Sequence, residues 1–479
     1  MLYKELYRPQ YHFTAPKGWI NDPNGLVWYK DEYHLFYQYY PNDILWGPMH
    51  WGHAISKDLV HWENLPIALA PDENGTIFSG SIVVDYNNTS GLFEGGEGMV
   101  ALYTGHIDRP GQHPIEHQCV AYSEDCGRTW KKYSGNPVLS APDVPDAFDY
   151  RDPNVFWHEE TQKWIMFLGG GFYRVYSSKD LLHWELESES YIYEEFPDFA
   201  LVPIENGEGS KWVLNLAGFS YYIGSFDGKR FVREEGPYTA DFSMGCQATQ
   251  TFRNLQDGRV IMMAWMRDGS RGPTFPWRNG MTVARELTLR KQADGTHRLV
   301  QRPVRELASL ETCVAEIKDL EAAPGENVLE GRMGNQIEID AVLTPQEWKG
   351  KITLTYLADK YQNTKFVIDL DNNLYFADYT AGNSPRWRDT QTSMDSWYFS
   401  AAEYIKARGK SYVAPMGAAG DIQLKLLIDK TAVEVFLEDG LVTYSFCIFP
   451  DEEATELSLT AENGMTVKSL KISDMASVW

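Results

Sequence analysis

The sequence predicts an all-β protein: a five-bladed β-propeller followed by a C-terminal β-sandwich. First, 14% of the 479 residues are aromatic, and an excess of aromatic residues favours strands. Second, strand-sized segments separated by polar turns recur in five sets, which begin near residues 20, 78, 150, 197 and 247. No helical period is sustained through these sets. Third, alternation of apolar and polar residues returns after residue 336, as in half-buried antiparallel strands.

A short turn phrase recurs four times in the first half of the chain. Ser and Asp side chains hydrogen-bond nearby backbone amides in such turns. An aromatic residue follows each phrase after four or five positions, and we expect it to anchor the returning strand. The four pairs are Ser56-Lys57-Asp58 with Trp62, Ser123-Glu124-Asp125 with Trp130, Ser178-Lys179-Asp180 with Trp184, and Ser225-Phe226-Asp227 with Phe231. Repeated four-strand units of this kind are typical of a propeller; an irregular all-β sandwich is the alternative.

A longer unit occurs twice. Asn21-Asp22-Pro23-Asn24 precedes a strand at 26–29, a polar turn and a strand at 34–37. Arg151-Asp152-Pro153-Asn154 precedes a strand at 155–157, a polar turn and a strand at 164–168. The same supersecondary unit is therefore expected in the first and the third blade.

The domain boundaries follow from these patterns. We expect the propeller in residues 1–304, a linker in 305–325 that holds at most a helical turn, and the sandwich in 326–479. The linker carries Glu, Leu, Ala and Lys at mixed spacing, whereas segments 336–340, 351–355, 425–429 and 433–437 alternate. The phrase Glu438-Asp439-Gly440 supplies a hairpin turn. The sandwich aromatics Tyr375, Phe376, Trp387 and Trp397 are interpreted as core residues.

Charge and composition exclude several classes of partner. The chain has 43 basic and 67 acidic residues and a formal net charge of −24, so we expect no nucleic-acid and no membrane partner. The five cysteines form no CxxC pair, and they are interpreted as inert thiols. The N-terminal segment has no apolar core of signal-peptide length. We expect a cytoplasmic protein, or a secreted one if a signal has been removed.

Three carboxylates lie at the starts of blade sets: Asp22, Asp152 and Glu195. A propeller gathers the inner strands of its blades around a central channel, so these groups are expected to converge on one pocket. Like charges disfavour one another's ionisation, and proteins tolerate this mainly for acid/base, nucleophilic or metal chemistry. A single Asp-Pro-Asn phrase is usually a structural turn, but its duplication at blade starts favours a functional site.

A metal site is the alternative for these carboxylates. Hard cations need several closely spaced oxygen ligands, and zinc prefers His or Cys ligands. His50, His53 and His61 lie near one another in sequence, but no carboxylate spacing completes a ligand set, and we interpret them as hydrogen-bonding groups of the blade. We expect no metal and no cofactor. A pair of carboxylates is also what glycoside hydrolysis requires, one as nucleophile and one as acid.

Several longer phrases carry a family resemblance: WINDPNG from Trp19, YHLFYQY from Tyr33, WGPMHWGHAISKDLVHW from Trp46, FSGS from Phe78 and RDP from Arg151. They resemble glycoside hydrolase family 32, the β-fructofuranosidases that include invertases, inulinases and levanases. RELTLR from Arg285 and IDKTAVEVFLEDG from Ile428 are similar to the family's propeller exit and sandwich strands. The resemblance covers nearly the whole chain.

The resemblance implies roles for individual residues. Asp22 matches the nucleophile, which forms a covalent fructosyl intermediate with retention, and Glu195 matches the acid/base. Asp152 matches the residue that holds fructose hydroxyls and stabilises the oxocarbenium-like transition state. Positions expected to line the pocket for the terminal fructose are Asn21, Gln38, Trp46, Phe78, Ser79, Arg151 and, in a less regular segment, Trp277. From residue type, Arg151 should keep the adjacent Asp152 ionised, and Trp46 and Phe78 offer flat faces to a furanose ring.

Two departures from the family pattern bear on specificity. Phe196 follows Glu195 where the family usually has Cys, and we expect it to desolvate Glu195 or to reshape the pocket wall, with a changed pH optimum or leaving-group preference. Cys246 and Gln247 stand where the family has aromatic residues. The aglycone side of the pocket is therefore expected to be more polar or more open.

The leading functional interpretation is an exo-β-fructosidase that releases fructose from fructans, fructo-oligosaccharides or sucrose. Segments 75–81 and 87–91 resemble those of exo-acting levanases and inulinases. Three alternatives stay open: an intracellular sucrose or sucrose-6-phosphate hydrolase, a fructosyltransferase, and a non-catalytic fructan-binding protein. The choice between β-2,1 and β-2,6 linkages, between exo and endo cleavage, and between monomer and homodimer also stays open.

Overall fold

The computed structural model describes residues 2–141, 149–170, 173–190, 195–207, 209–243, 245–267, 274–384, 413–417 and 419–479. These residues form β-strands, turns and three short 3₁₀ helices at Glu205–Gly207, Arg305–Leu310 and Glu438–Gly440. Within them, no helix has the length and hydropathy of a membrane span. Five sheets form successive blades and two further sheets form the C-terminal domain, which confirms the predicted propeller and sandwich.

Each blade is an antiparallel sheet whose strands follow one another in sequence. Blade 1 contains β1 (Gly18–Tyr29), β2 (Glu32–Tyr40), β3 (His50–Ser56) and β4 (Trp62–Leu69). Blade 2 contains β5 (Thr76–Asp85), β6 (Gly98–Ile107), β7 (Ile115–Ser123), β8 (Lys131–Lys132) and β9 (Leu139–Ser140). Blade 3 contains β10 (Asn154–His158), β11 (Lys163–Leu168), β12 (Tyr173–Ser178) and β13 (Glu185–Ser190).

The last two blades complete the propeller. Blade 4 contains β14 (Pro197–Pro203), β15 (Ser210–Leu216), β16 (Ser220–Phe226) and β17 (Phe231–Thr239). The chain then forms β18 (Cys246–Thr251), β19 (Ile261–Met266), β20 (Trp277–Arg278), β21 (Gly280–Met281), β22 (Arg285–Lys291) and β23 (His297–Pro303). All of these except β20 belong to blade 5; β20 pairs in parallel with β1 and so closes the ring of blades.

The repeated Asp-Pro-Asn unit supplies part of the cohesion between blades through its final Asn. Oδ1 of Asn24 accepts a hydrogen bond from the backbone N–H of Gly80 in blade 2 at 2.9 Å. In the second copy, Nδ2 of Asn154 donates to Asp198 in blade 4 at 3.2 Å. In each copy the Asn therefore connects its own blade to the next one.

Side chains of other inner strands continue this ring of hydrogen bonds. Ser81 of blade 2 donates to the carbonyl of Pro153 in blade 3 at 2.8 Å. Asp198 of blade 4 accepts from the backbone N–H of Thr251 in blade 5 at 3.1 Å. Gln250 of blade 5 accepts from a backbone N–H of blade 1 at 3.1 Å. Polar groups at the propeller axis are thus paired between blades, as buried polar groups must be.

Aromatic side chains fill the space between blades. Between blades 3 and 4, the rings of Phe199 and Trp212 stack with their centroids 4.7 Å apart, and Phe167 stacks on Phe199 at 4.2 Å. The predicted turns also form: Oδ1 of Asp58 accepts from the backbone N–H of Val60 at 3.0 Å, and the other turn phrases make equivalent bonds. Much of the aromatic excess in the sequence is therefore core.

The C-terminal domain consists of two stacked sheets. The six-stranded sheet has the order β24-β34-β25-β30-β31-β32 and the five-stranded sheet the order β29-β28-β27-β26-β33. Their bounds are β24 (Glu311–Ala322), β25 (Gln336–Pro345), β26 (Lys351–Ala358), β27 (Asn363–Asp369), β28 (Leu374–Ala381), β29 (Ala414–Pro415), β30 (Ile422–Asp429), β31 (Ala432–Leu437), β32 (Val442–Cys447), β33 (Glu456–Ala461) and β34 (Met465–Met475). Tyr375 and Phe376 are buried as predicted; Trp387 and Trp397 lie outside the described residues.

The predicted linker at 305–325 is wrong. It contains a 3₁₀ helix at Arg305–Leu310 and then β24, which pairs along its whole length with β34. β24 is the outermost strand of its sheet and most of its side chains are exposed. An edge strand of this kind carries charged residues and lacks the alternation that identifies a half-buried strand.

Buried charges join the sandwich to the propeller. Arg285 on β22 contacts Glu434 on β31, with its Nε 2.9 Å from Oε2. Ring nitrogens of His12 lie 2.9 Å from carboxylate oxygens of Asp429 and Glu434. All four side chains are at most 1% exposed. The two C-terminal phrases that resemble the family, RELTLR and IDKTAVEVFLEDG, therefore meet at this domain junction.

Candidate active site

A cavity of about 720 Å³ opens at the start of the inner strands. It is lined by nine residues that the sequence predicted: Asn21, Asp22, Gln38, Trp46, Phe78, Ser79, Arg151, Asp152 and Glu195. They come from four blades and from the segments that precede them. The expected convergence of Asp22, Asp152 and Glu195 on one pocket is thus present in the structure.

The structure corrects the predicted placement of Trp277. Its side chain is 3% exposed and packs with Tyr7 and Phe449. The guanidinium of Arg8 lies 4.7 Å from the centroid of its ring, so that face of the indole is covered. Trp277 lies outside the residues that line the cavity, and Trp19 and Trp265 line it instead.

β-bulges direct the inner strands toward the cavity. The register of β1 shifts between Ile20 and Pro23, the stretch that contains Asp22. The register of β5 shifts between Ile77 and Gly80, the stretch that contains Phe78 and Ser79. A bulge leaves an extra residue unpaired and changes the direction of its side chain. These irregularities explain how consecutive residues of a strand can both reach the pocket.

Asp22 is held by a hydrogen bond from Oγ of Ser79 to Oδ2 at 2.7 Å. Burial raises the pKa of Asp22, hydrogen bonds from Ser79 and Asn21 partly offset this, and the charge of Glu195 adds to the increase. The position of Asn21 is in turn fixed by Nε1 of Trp19, which donates to its Oδ1 at 2.8 Å. The result is a carboxylate oriented by neighbours that bind its ionised form.

Asp152 adopts a left-handed backbone conformation with φ of 64°. This conformation is costly for a residue with a Cβ and is typical of functional sites. Its N–H donates to Oγ1 of Thr104 at 3.1 Å, and its Oδ2 accepts from the backbone N–H of Phe196 at 3.2 Å. The backbone of Asp152 is therefore fixed by blade 2, and its carboxylate by the segment that enters blade 4.

Arg151 favours the ionised form of Asp152, as expected from residue type, but burial opposes that form more strongly. Burial raises the pKa of Asp152 well above its usual range; Arg151 lowers it, but the charges of Glu195 and Asp22 raise it further. Nε of Arg151 lies 3.9 Å from Oδ2 of Asp152. The Arg151 guanidinium is closer to other carboxylates, so its neighbour in sequence is not its main partner in space.

The guanidinium of Arg151 contacts three further carboxylates. Nη2 lies 2.7 Å from Oε2 of Glu195. Nη1 lies 2.6 Å from Oδ1 of Asp149 and 3.1 Å from Oε1 of Glu116. One cation thus connects the expected acid/base to a buried anion of blade 2.

An aromatic wall bounds one side of the cavity. The rings of Trp46 and Phe78 meet edge to face with centroids 6.1 Å apart, and His106 stacks on Phe78 at 4.0 Å with an interplanar angle of 7°. Trp46 is 49% exposed, a high value for an indole, as expected of a side chain available to a ligand. The flat faces predicted for Trp46 and Phe78 are present.

Sequence reasoning missed Glu116, His106 and Trp265, which also line the cavity. Glu116 and His106 face each other on β7 and β6, where they are cross-strand partners. The strand gave no clear signal for Glu116, because His117 and Gln118 follow it directly and the position does not stand out as a lone polar residue.

The departures from the family pattern have different outcomes. Phe196 packs against Ala217 and Ala248 and forms part of the pocket wall, which is one of the two expected alternatives. The other alternative, desolvation of Glu195, is not met, because that side chain is 50% exposed. Gln247 lines the cavity, whereas Cys246 is 1% exposed and lies outside the lining residues.

One cluster of potential metal ligands occurs among the described residues: Glu32, His34 and Cys126. It lies where blade 1 meets blade 2, and none of its members lines the cavity. Arg128 donates to both carboxylate oxygens of Glu32 at 2.8 Å. The guanidinium of Arg128 therefore already binds the carboxylate of this cluster.

Comparisons with known proteins agree with this geometry. The family model described as the glycosyl hydrolases family 32 N-terminal domain matches residues 12–303, and that of the family's C-terminal domain matches residues 306–474. A levanase of Bacillus subtilis (strain 168) is 38% identical in an alignment that covers 100% of this chain and 72% of the levanase. An extracellular exo-inulinase of Aspergillus awamori is 31% identical, with 100% and 96% covered.

A solved structure extends the likeness to the fold. The crystal structure of an exo-inulinase from Aspergillus awamori matches with a TM-score of 0.86 at 30% sequence identity, over 100% of both chains. The family models together span both the propeller and the sandwich. The chain therefore belongs to glycosyl hydrolase family 32.

Proposed function

We propose that the chain is a retaining exo-β-fructosidase that releases terminal β-D-fructofuranosyl units from fructans, fructo-oligosaccharides or sucrose. The observation that carries this proposal is the meeting of Asp22, Asp152 and Glu195 in one cavity, with Arg151 bound to Glu195. Membership of glycosyl hydrolase family 32 and the similarity to a levanase and an exo-inulinase support the class of substrate.

In the first step, a carboxylate oxygen of Asp22 attacks the anomeric carbon of the fructosyl unit. The bond to the leaving oxygen breaks, and Glu195 donates its proton to that oxygen. The product is a fructosyl ester on Asp22 and an ionised Glu195. In the second step, Glu195 takes a proton from water while the water oxygen attacks the anomeric carbon, which releases fructose and regenerates Asp22.

The other groups of the cavity stabilise charge or position the sugar. Asp152, held by backbone N–H and hydroxyl contacts, is placed to stabilise the positive charge that develops on the fructosyl ring. Arg151 fixes one oxygen of Glu195 and so restricts the direction of the proton donor. Trp46 and Phe78 cover one side of the pocket with apolar surface, which suits the face of a sugar ring.

Charge in the cavity favours a neutral substrate. The described lining contains six carboxylates (Asp22, Asp108, Glu116, Asp149, Asp152 and Glu195) but only two arginines, Arg109 and Arg151. Arg151 is already shared among four of those carboxylates. A sugar phosphate would bring further negative charge into this field, so unphosphorylated fructosides fit better than sucrose-6-phosphate.

The test is an assay of fructose release with chain-length analysis. Sucrose, sucrose-6-phosphate, inulin and levan are each incubated with the enzyme, with Asp22→Ala as the inactive control. We expect free fructose from the unphosphorylated substrates and polymers that shorten one unit at a time. Intermediate oligosaccharides at early times would indicate endo cleavage, and longer products would indicate transfer. Binding of fructan without release from any substrate would overturn the proposal.

A further inference from the structure

The carboxylate of Glu116 lies behind Arg151, on the side away from Glu195. Its Oε1 is 3.1 Å from Nη1 of Arg151, while Nη2 of the same guanidinium is 2.7 Å from Oε2 of Glu195. Glu116 is 3% exposed, and Glu195 is 50% exposed. A buried anion and an exposed, reactive carboxylate therefore share one cation.

Oε1 of Glu116 also binds His106, whose Nδ1 lies 3.0 Å away. The His106 ring stacks on Phe78, which meets Trp46 edge to face. Oε2 of Glu116 is buried without a hydrogen-bond partner among the described residues. A single carboxylate oxygen thus connects the aromatic wall to the cation that holds the acid/base.

We propose that Glu116 is a positioning residue that sets the protonation state and orientation of Glu195 through Arg151. This inference rests on the proposed function, in which Glu195 is the acid/base. Glu116 itself stays an anion, since the hydrogen bond from His106 and the charge of Arg151 outweigh burial and lower its pKa. Glu116 neutralises part of the Arg151 charge and so weakens the preference of the guanidinium for an ionised partner, whereas the first step needs Glu195 with its proton.

Other charged groups surround this chain of contacts and are the background to any pH effect. They are Asp108 from the loop after β6, Asp149 and Asp152 from the segment before β10, and Asp22 from β1. None of them connects to both Arg151 and the aromatic wall as Glu116 does.

Glu116→Gln preserves the size of the side chain and an acceptor for Arg151, but removes the charge. Arg151 then acts more strongly on Glu195, which stays ionised to lower pH. Because the first step requires a protonated acid, the basic limb of the pH profile of kcat/KM should move to lower pH by roughly one unit. Glu124→Gln is the matched control: the same change in blade 2, at an exposed turn where Glu124 pairs with Lys131. It should leave the profile in place.

Two further variants separate the contact of Glu116 with His106 from its contact with Arg151. His106→Gln retains a donor for Glu116 but removes the ring that supports Phe78, so it should raise KM without moving the basic limb. Glu116→Asp retains the charge but is too short to hold Arg151, so the limb should stay while kcat/KM on sucrose falls.

An activated substrate distinguishes a role in positioning Glu195 from a merely structural role. The fluoride ion of β-D-fructofuranosyl fluoride departs without a proton, so the loss of kcat/KM in Glu116→Asp should disappear with this substrate, because kcat/KM does not include the second step, in which Glu195 acts as the base. Equal losses on sucrose and on the fluoride, or a Glu116→Gln profile that superposes on the wild type, would overturn the inference. Wild-type enzyme that releases no fructose at all would instead overturn the proposed function. Thermal unfolding of each variant confirms that it is folded.

Discussion

The catalytic cavity and the domain junction both bury carboxylates, but Glu434 at the junction is paired with two cations, whereas Asp22 and Asp152 in the cavity are not. At the junction, Glu434 contacts Arg285 and His12, and all three side chains are at most 1% exposed. In the cavity, Asp22 is held by a hydroxyl group, and Asp152 lies 3.9 Å from the guanidinium that is nearest to it in sequence. Buried carboxylates of this protein therefore occupy two different electrostatic environments.

The consequence is visible in the direction of the pKa shifts. Burial disfavours the charge of Glu434, but Arg285 and His12 outweigh it and lower its pKa. For Asp22 and Asp152 burial dominates, and their pKa values are raised. Asp241 at the junction is an intermediate case: it lies 3.4 Å from Arg285, yet burial still raises its pKa. The paired burial of Glu434 serves stability, whereas the incompletely paired burial of Asp22 and Asp152 prepares these carboxylates for chemistry.

The strongest test of this contrast is Asp22→Ala. Loss of the nucleophile should lower kcat by about 10⁴-fold or more, while the free energy of unfolding stays the same or rises, because a poorly paired buried charge is removed. Fructose release and thermal unfolding measure the two effects. Substantial residual activity would refute the assignment of Asp22 as nucleophile, and a large loss of stability would refute the contrast.

Glu434→Gln should show the opposite behaviour. It leaves Arg285 and His12 buried without their shared anion, and breaking a buried pair of this kind costs about 3–5 kcal/mol. The free energy of unfolding, from denaturant titration, should fall by this amount, while the kcat of the folded fraction stays near that of the wild type. Glu316→Gln is the control: Glu316 is half-exposed and pairs with Lys318 at the surface, where such pairs contribute little to stability. Equal losses in both variants would contradict the special role of the junction.

The sequence predicts a feature of this contrast well when the contacts behind that feature join residues close together in the chain. Asp22 and Asp152 were predictable because each begins a repeated unit, and a propeller brings the starts of inner strands together. The contact between Glu116 and Arg151 was not predictable, because it joins residues 35 positions apart. It depends on a strand register that the local sequence pattern does not encode. Arg151 and Asp152 are adjacent in sequence, but the left-handed backbone at Asp152 gives their side chains different directions.

The domain boundary shows the same limit. β24 was predicted as a linker because an edge strand with exposed charged residues lacks alternation. Its pairing with β34 joins Glu311 to Met475, so its structure depends on a segment far along the chain. Trp277 was placed in the pocket through the family resemblance, in a less regular segment, but its strand pairs with β1 and its ring is covered by Arg8.

The pH dependence of stability provides a smaller test at the junction. Burial opposes the charged form of His12, but hydrogen bonds to Asp429 and Glu434 raise its pKa to about 9. A pKa raised above the ordinary value of about 6.5 contributes stability that is fully present below pH 6.5 and is lost as the pH rises through 9. The loss should be about 3 kcal/mol over that interval. Unfolding free energies of the wild type and His12→Gln measure it; a wild-type slope that persists in the variant would contradict this origin.

The smallest expected effect lies in the cavity, at Ser79→Ala. The hydroxyl of Ser79 donates to Oδ2 of Asp22 at 2.7 Å, and this bond favours the ionised nucleophile. Without it the pKa of Asp22 rises further, so the acidic limb of the pH profile of kcat/KM should move to higher pH by roughly one unit. Ser188→Ala, which removes a hydroxyl of blade 3 that donates to the backbone carbonyl of Lys229 in blade 4, should leave the limb in place. An acidic limb that does not move in Ser79→Ala would show that the cavity sets the ionisation of its nucleophile by burial alone. The catalytic cavity and the domain junction would then differ only in the cations that pair with their carboxylates.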